Sequence, residues 1–531
     1  PDVSWPGWKT LLSMRRQRQK RPPRQNVKRL DSTKPYSAKK ASVLTCLFLL
    51  VAITGWSQGL SWNFSPGLQH IHQLILNLHT REAQELLSRT PARGEELYQI
   101  YLLSFSETLD VLISEDAAKF DIIDKRFKER LQRLEAMNNS PDALFLQAEL
   151  HLQRGFSLLN LNQEVNAVFA IRKAYNLVQD GLKKYPDCVP LKKTSGVIQV
   201  MVGTVPDKYH WFITLLGMRG SVTVGQKQLN ELRASASSLS VEAGILYYTI
   251  KGLINQQFPE AIQGILASLQ QQPENKLLLF LGTNLLMKDA RSEEALGLIK
   301  TLDQQTSGLP LHYIDYLHAE ILLQKGEYDR AISHYLRFVA AYRSENFKKD
   351  SYYKISLAHW LNGNTDHAKR YFEKARQTGR SVAEPDRVAA AQLEEGRLPN
   401  AKLAKVRLAT DGGYYTEARK MIDQIKLSDL TSLKEQAEYY YRKARLEHRT
   451  GNLAGAKVLY DQTIAMAGQQ PWYFAANASL QMGYICMDEN RFAAAETYFN
   501  RALAYKKHEY KTSIDGKARS ALETLKAKKL A

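Results

Sequence analysis

Apolar and small residues recur four times in one pattern in the C-terminal part of the chain, and this pattern predicts pairs of packed helices. In each unit an alanine on the second helix is followed four positions later by an aromatic residue. Residues four apart lie on the same face of a helix, so each alanine marks a close crossing and each aromatic ring fills the space beside it. The four pairs are Ala331 and Tyr335, Ala368 and Phe372, Ala456 and Tyr460, and Ala495 and Phe499.

Glycines and other small residues mark the first helix of each unit. A glycine after this helix predicts a left-handed turn, because glycine adopts a positive φ without a steric penalty. The turn glycines are Gly326, Gly363 and Gly451. Ala319, Ala444 and Gly483 lie within the first helices and predict close contact with the second helices. A single hairpin cannot bury these faces, so we expect a stacked array over residues 311–507.

The small–aromatic–small pattern of residues 312–507 resembles the tetratricopeptide repeat (TPR). The resemblance implies an all-α fold, a right-handed α-solenoid of TPR-like helical hairpins, in which the first helices line a concave face. The step from Ala331 to Ala368 is 37 residues, and that from Ala456 to Ala495 is 39 residues. Because the family repeats every 34 residues, longer helices or loops are expected here.

The rest of the chain after about residue 66 also has a helical pattern, without the alternation that is typical of strands. We expect degenerate helical repeats over residues 66–190, degenerate TPR-like repeats over 233–310, and a basic C-terminal helix over 508–531. Short motifs centred on alanine support this division, and they lie at residues 80–87, 167–174, 258–261, 293–296 and 413–418.

An apolar, glycine-rich segment over residues 191–232 separates these parts and predicts a helical hairpin. Its marker residues follow one another in the order Gly196, Pro206, Leu215, Gly217, Gly220 and Gly225. In this order the segment resembles the central segment of a eukaryotic TPR-related family that includes a mitochondrial outer-membrane inclusion-body clearance protein. The resemblance implies a hydrophobic hairpin that is buried between two repeat blocks. The alternative interpretation is a hairpin, residues 196–229, that contacts a membrane.

Positive charge is concentrated at the N-terminus. Residues 1–40 contain twelve lysines and arginines and two aspartates, so they carry +10 of the chain's net charge of +19. We expect this basic head to be disordered. Nucleic-acid binding by the head is disfavoured because few aromatic residues are interleaved with the basic ones, and we expect no nucleic-acid partner.

A run of sixteen uncharged residues, 41–56, follows the basic head. A basic segment before an apolar run is typical of a secretory signal or a signal anchor. Sixteen helical residues rise about 24 Å, less than a hydrocarbon core of about 30 Å, which favours a signal cleaved after Gly59. The alternatives are a transmembrane anchor over 41–62, with Trp56 and Trp62 at the interface, and a buried helix. A signal or an anchor predicts a protein of the bacterial cell envelope, either periplasmic or secreted, or anchored to the membrane by one N-terminal helix.

No catalytic, cofactor or metal site is predicted. The three cysteines, Cys46, Cys188 and Cys486, have neither the number nor the spacing of a disulfide scaffold or a metal site. His72 and His79 share a helical face, but no third ligand is spaced to complete a metal site, so we expect surface or packed histidines. The sequence therefore predicts a protein that is not an enzyme.

The predicted concave face offers aromatic and charged side chains to a protein or peptide partner. Tyrosine and tryptophan give rigid contact area with a polar tip, and arginine gives planar recognition of carboxylates. Counted from the aligned alanines, the inward positions are Tyr313, Tyr316, Glu320, Tyr353, Trp360, Glu438, Tyr441, Arg445, Arg449 and Tyr484. We interpret the chain as an exported or membrane-anchored scaffold. The alternatives are that several of these tyrosines pack between repeats, and that the 196–229 hairpin handles apolar or lipid material.

Overall fold

The computed structural model describes residues 62–530 apart from 93, 138–139, 206–210, 212 and 382. Throughout this described part the secondary structure is helical and contains no strand, in agreement with the all-α prediction. The basic head at 1–40 and the apolar run at 41–61 lie outside the described residues. Among the helices of the described part, none is both long and apolar enough to cross a bilayer.

The N-terminal block, residues 62–253, consists of helices that pack around one continuous apolar core. Its helices are α1 (Pro66–Leu76), α2 (Thr80–Arg89), α3 (Glu96–Ser114), α4 (Ala117–Glu135), α5 (Pro141–Asn160), α6 (Glu164–Lys184), α7 (Val189–Gly203), α8 (Val222–Arg233) and α9 (Ser240–Leu253). Side-chain caps fix several helix starts. At the start of α4, for example, Asp116 accepts hydrogen bonds from the backbone N–H groups of Ala118 and Lys119.

Trp62 lies inside the core of the N-terminal block. Its side chain is fully buried and packs edge-on against Tyr101 and Phe145. The indole Nε1 donates a hydrogen bond to Asp142 Oδ1 at 2.8 Å. A tryptophan that is enclosed in this way cannot lie at a membrane interface, so the interfacial role predicted for Trp62 is wrong.

The apolar segment 191–232 forms a hairpin of α7 and α8 that packs against the rest of the block. The two helices cross at Gly196 and Gly225, where a Cβ atom on Gly225 would overlap Gly196 O and lie 2.7 Å from Val200 Cγ2. On their other sides α7 packs against α5 and α6, and α8 packs against α9. In the segment between them Trp211 and Leu215 are 54% and 55% exposed. The packing favours the core interpretation of this hairpin.

A cluster of charged side chains lies inside the N-terminal block, and we call it the buried charge cluster. Lys193 Nζ is 2.7 Å from Glu149 Oε1 and 2.9 Å from Glu242 Oε2. Tyr101 OH donates to Glu242 Oε2 at 2.6 Å, and His72 Nε2 lies 2.8 Å from Glu242 Oε1. All five side chains are buried. Each charge is therefore stabilised by partners within the cluster rather than by water.

Acid is expected to destabilise the N-terminal block through Glu242. Burial would raise the pKa of this carboxyl group, but Lys193 and His72 outweigh burial and lower the pKa from 4.5 to about 2. The carboxylate therefore stabilises the folded state fully above the unfolded pKa, and this stabilisation is lost as the pH falls towards 2. Between about pH 5 and about pH 3.5 the wild type should lose about 1 kcal/mol through this group. Urea unfolding at both pH values checks this, because Glu242→Gln should lose less stability over the same interval; equal losses would contradict the assignment.

The array, residues 258–530, continues as helical hairpins. Its helices are α10 (Phe258–Gln271), α11 (Lys276–Lys288), α12 (Ser292–Asp303), α13 (Tyr313–Lys325), α14 (Tyr328–Ala341), α15 (Lys348–Leu361), α16 (Thr365–Gln377), α17 (Glu384–Glu394), α18 (Ala401–Gly412), α19 (Tyr415–Asp423), α20 (Leu433–Arg449), α21 (Leu453–Ala467), α22 (Tyr473–Asp488), α23 (Phe492–Ala504) and α24 (Lys511–Leu530). A short 3-10 turn, Leu427–Asp429, precedes α20.

The repeat residues of the array occupy the places that the sequence pattern predicts. The four key alanines are fully buried, and the aromatic residues that follow them are buried as well. Gly326, Gly363 and Gly451 have φ values of +86°, +84° and +86°, in the left-handed region. A Cβ atom on Gly483 would overlap the ring of Phe499, so the two helices of that hairpin do cross closely. The predicted hairpin geometry is therefore confirmed.

One part of the array departs from a simple stack. α17 packs beside α15, and α18 then lies against both α13 and α15 instead of continuing outward. The turn after α18 contacts the turn between α11 and α12: Gly413 has a φ of +87°, and a Cβ atom there would overlap Ala290 O. Beside it Tyr414 OH donates to Glu293 Oε1 at 2.8 Å. The hairpins therefore wind so tightly that distant turns meet.

The C-terminal end of the described chain returns to the N-terminal block. The last helix, α24, packs against α8 of the N-terminal block, and Ser221 Oγ donates to Glu523 Oε1 at 2.5 Å. Elsewhere the block is bonded to the middle of the array, where Asn346 Nδ2 donates to Glu115 Oε2 at 2.9 Å. The array therefore leaves the N-terminal block after α9 and returns to it through α24.

Candidate functional site

The predicted inward positions on α13 are bonded to the next hairpin. Tyr313 stacks on Tyr316 with ring centroids 5.1 Å apart, and Tyr316 OH donates to Asp350 Oδ2 at 2.7 Å. Lys354 Nζ lies 2.6 Å from Glu320 Oε1. Burial raises the pKa of Asp350, and the nearby ammonium group of Lys354 opposes this shift. This part of the predicted face is held together by its own ion pairs.

The two predicted inward residues of α15 also contact neighbouring helices. Tyr353 is buried and packs in a small cluster that includes Leu393 of α17. Trp360 is half-buried, and its Nε1 donates to Pro399 O at 3.0 Å in the segment before α18. The return of α18 towards α13 and α15 therefore occupies part of the surface that the sequence analysis expected to be open.

The inward positions of α20 form bonds to α22. Arg442 Nη2 bonds to Glu438 Oε1 at 2.7 Å and donates to Tyr473 OH at 2.7 Å. Tyr441 OH accepts a hydrogen bond from Asn477 Nδ2 at 2.8 Å. These contacts connect successive first helices along the array. They also fix the tyrosine and arginine side chains in defined orientations.

The remaining predicted residues lie on α20 and α22. Arg445 Nη1 donates to the neutral amide oxygen of Gln481 at 2.7 Å. Arg449 Nη1 lies 3.5 Å from Asp289 Oδ1, across the contact between distant turns. Tyr484 is half-buried, and its ring packs edge-on against Phe499. Of these residues, Arg445 combines partial exposure with a partner that carries no charge.

Arg407 on α18 is an inward residue that the sequence analysis missed. The residue is half-buried, and its guanidinium group interacts electrostatically with Arg442 and with Tyr353, Tyr473 and Tyr510. Within the described residues it forms neither an ion pair nor a hydrogen bond. Arg407 therefore places a positive charge in the interior of the array without a direct carboxylate contact among the described residues.

The register of two of the three turn glycines points to Arg407, although the same count back from Gly363 leads to the buried Leu357. The position six residues before the turn glycine is Glu320 before Gly326, and it is Arg445 before Gly451. The same count back from Gly413, whose φ is +87°, leads to Arg407. The alanine–aromatic pattern is degenerate in this hairpin, so it does not mark the first helix.

We call this group of side chains the arginine–tyrosine cluster; it comprises Arg407, Arg442, Arg445, Tyr353, Tyr441, Tyr473 and Tyr510. Only Arg442 of the three arginines has an ion pair with a carboxylate in the described part of the chain. Asp411 attracts Arg442 and Arg445 electrostatically but forms no ion pair with either of them among the described residues. The cluster therefore contains more positive than negative charge.

A cavity of about 490 Å³ adjoins the arginine–tyrosine cluster. It is lined by Glu395, Arg397, Ser432, Leu433, Lys434, Pro471, Trp472 and Glu509. Trp472 and Glu509 are the chain neighbours of Tyr473 and Tyr510, and Glu509 Oε2 accepts a hydrogen bond from Tyr473 N at 3.1 Å. Space for a ligand therefore lies beside the cluster. Within the described residues, no group of three or more histidine, cysteine, aspartate or glutamate side chains is arranged to hold a metal ion.

The comparison with family models supports the repeat assignment. The family model of the tetratricopeptide repeat matches residues 349–375 and 476–508, which confirms the predicted repeats within the array. Among solved structures, the yeast Tom70 crystal structure has 15% identity, with 85% of this chain and 87% of that chain covered and a TM-score of 0.22. The crystal structure of the APC/C hetero-tetramer Cut9-Hcn1 has 12% identity, with 90% of this chain and 99% of that chain covered and a TM-score of 0.21. A comparison with curated proteins finds no match.

Proposed function

We propose that this chain is a non-catalytic scaffold whose array binds a protein or peptide partner along its inner surface. The arginine–tyrosine cluster is the observation that carries the proposal. Rigid aromatic side chains and arginines are the residues that most often dominate the energy of protein interfaces. Here they converge on one surface, beside a cavity of about 490 Å³, and among the described residues two of the arginines form no ion pair with a carboxylate.

The location of the protein belongs to the same proposal. The basic head and the apolar run of residues 41–56 support an exported or membrane-anchored protein of the cell envelope. Such a scaffold would meet its partner outside the cytoplasm. The described array and N-terminal block would then form the part of the chain that follows the export signal or anchor.

Photo-crosslinking from the inner surface tests the scaffold function. We expect Tyr484→p-benzoylphenylalanine, a half-buried position on the first helix α22, to crosslink to a discrete partner in cells that express the protein at its native level. Val458→p-benzoylphenylalanine is the matched control, because Val458 is 59% exposed on the second helix α21. Mass spectrometry of the crosslinked bands identifies the partner. Crosslinks from Val458 to the same partner with equal yield, or none from Tyr484, would contradict binding on the inner surface.

A further inference from the structure

We infer that the N-terminal block docks on the surface of an anionic lipid bilayer through the segment between α7 and α8 and the adjoining end of α24. We call this the lipid-docking surface; it comprises Trp211, Leu215, Arg219, Val224, Lys227 and Lys526, all of which are exposed. The inference goes beyond the scaffold function, and it does not require that the apolar run of residues 41–56 be retained. It follows from the exposed apolar side chains, from the charge around them and from the course of α24.

Large apolar side chains are exposed together at this end of the α7–α8 hairpin. Of the ten large hydrophobic side chains that are exposed in the described residues, three fall within residues 211–224. Trp211 and Leu215 lie four residues apart in a helical stretch, so their side chains point to the same side. Val224, in the first turn of α8, is 46% exposed. A concentration of exposed apolar side chains indicates a surface that a partner or a membrane covers.

The segment that carries Trp211 and Leu215 is fixed to the block by its other side chains. Ile213, Leu216 and Met218 are buried and belong to the apolar core of the N-terminal block. The backbone N–H group of Arg219 donates to Tyr175 OH at 3.2 Å. The exposed side chains are therefore presented by a segment whose opposite side is packed, so they protrude in a defined direction.

The charge around these apolar side chains is positive. Residues 211–227 contain two charged side chains, Arg219 and Lys227, and both are basic and exposed. Within the described residues neither of them forms an ion pair or a side-chain hydrogen bond. Their positive charge is therefore available to an anionic surface.

The last helix, α24, runs antiparallel to α8, towards the same end of the hairpin. Ser520 Oγ lies 3.5 Å from Asn255 Oδ1, and Asn255 Nδ2 donates to Gln226 Oε1 at 2.7 Å. One turn further along α24, Glu523 Oε1 accepts a hydrogen bond from Ser221 Oγ at 2.5 Å. Between these two contacts α24 therefore passes from the middle of α8 to its N-cap residue.

The end of α24 brings further positive charge to the lipid-docking surface. Residues 524–530 contain three lysines and no acidic residue. Lys526 is exposed and lies three residues beyond Glu523, a rise of about 4.5 Å that places it past the start of α8. Lys528 attracts the Asp488 carboxylate electrostatically, so Lys526 is the lysine beside the segment between α7 and α8.

An anionic bilayer matches both properties of this surface. Tryptophan and leucine side chains enter the interfacial region, where the amphipathic indole ring is favoured, while lysine and arginine side chains stay at the level of the headgroups. Each basic residue near an anionic bilayer contributes about 1 kcal/mol, equal to about a fivefold change in affinity. The helices α7 and α8 themselves remain packed in the block, so only the surface at their end meets the lipid.

Photo-crosslinking to lipid tests the inference. The full chain with Leu215→p-benzoylphenylalanine is irradiated with vesicles of phosphatidylcholine and phosphatidylglycerol in equal amounts, and lipid adducts are measured by mass spectrometry. We expect a lipid adduct at Leu215 and little or none with Val458→p-benzoylphenylalanine, a position on α21 that is 59% exposed. Vesicles of phosphatidylcholine alone should give a lower yield at Leu215. Equal yields at the two positions, or equal yields with the two kinds of vesicle, would overturn the inference.

Charge variants test the basic residues at a salt concentration where the yield at Leu215 is below half of its maximum. Arg219→Gln/Lys526→Gln should lower this yield at least about fivefold, because two basic residues leave the surface. Lys369→Gln/Arg370→Gln is the matched control, since it removes two exposed basic residues from α16 and changes the net charge equally. Both double variants replace exposed side chains and should keep the Tm of the parent chain. An equal loss of yield with the two double variants would mean that net charge alone attracts the chain to the vesicle.

Crosslinking in cells separates a lipid surface from a protein partner. A discrete protein adduct at Leu215 in place of a lipid adduct would assign this surface to a protein, and a crosslinked pair of this chain would assign it to self-association; either result would overturn lipid docking. Tyr484 lies in the array and Leu215 in the N-terminal block, so the two crosslinking positions report separately. Failure at Leu215 leaves the scaffold function standing, and failure at Tyr484 leaves lipid docking standing.

Discussion

Lys193→Met is expected to destabilise the N-terminal block by about 3–5 kcal/mol, the loss typical of removing one partner from a buried ion pair. Lys193 has 4% of its side chain exposed and pairs with both Glu149 and Glu242. Methionine fills similar space but leaves two buried carboxylates without their cation. Hydrogen exchange in α5 and α7, measured by mass spectrometry, reports the lowered free energy of opening for this block alone.

Two further variants make this prediction specific. Lys192→Met removes a partly exposed lysine whose Nζ lies 3.6 Å from Glu231 Oε2, so it should change the stability by no more than about 0.5 kcal/mol. The triple variant Lys193→Met/Glu149→Gln/Glu242→Gln removes the buried charges together and should recover most of the loss. If Lys193→Met matched Lys192→Met, the buried charge cluster would have no major role in stability.

Gly225→Ala is expected to destabilise the α7–α8 hairpin by about 2–3 kcal/mol, through overpacking at the helix crossing. The new Cβ atom would overlap Gly196 O and would lie 2.7 Å from Val200 Cγ2. A backbone oxygen cannot rotate away as a side chain can, so α7 and α8 would have to separate. Alanine favours the helical conformation by less than this penalty. Hydrogen exchange in the two helices measures the change.

Gly297→Ala is the matched control because Gly297 is also helical but no atom lies within 4 Å of its would-be Cβ atom. There alanine should stabilise helix α12 by about 0.5–1 kcal/mol, so the two glycine variants are expected to have opposite signs. A neutral result for Gly225→Ala would mean that the crossing can widen without loss, and the close approach would then not be required for the hairpin.

The sequence predicted the features that depend on neighbouring residues. Turn glycines, key alanines and aromatic fillers repeat within single hairpins, and their local geometry follows from helix periodicity and from the left-handed conformation of glycine. Ala331, Gly326 and Tyr335 therefore occupy their predicted places. The alternation of small and large residues was enough to predict the four hairpins that carry the full pattern.

The features that the sequence did not reveal depend on contacts between distant parts of the chain. Lys193 meets Glu149 and Glu242 only because three helices converge, and no spacing within one helix predicts this. The return of α18 against α13 likewise determines which inward residues stay accessible. It places Trp360 against Pro399 and brings Arg407 to Arg442. The inward surface was therefore predicted in outline, but its available residues were not.

The contact between Ser221 and Glu523 has a mechanical consequence. In an open stack of repeats, each unit contacts only its neighbours, so the superhelix can lengthen and shorten elastically. Here α24 contacts the N-terminal block, so lengthening the array would require this contact to break. Any widening of the array that separates α24 from the N-terminal block would therefore have to break this contact.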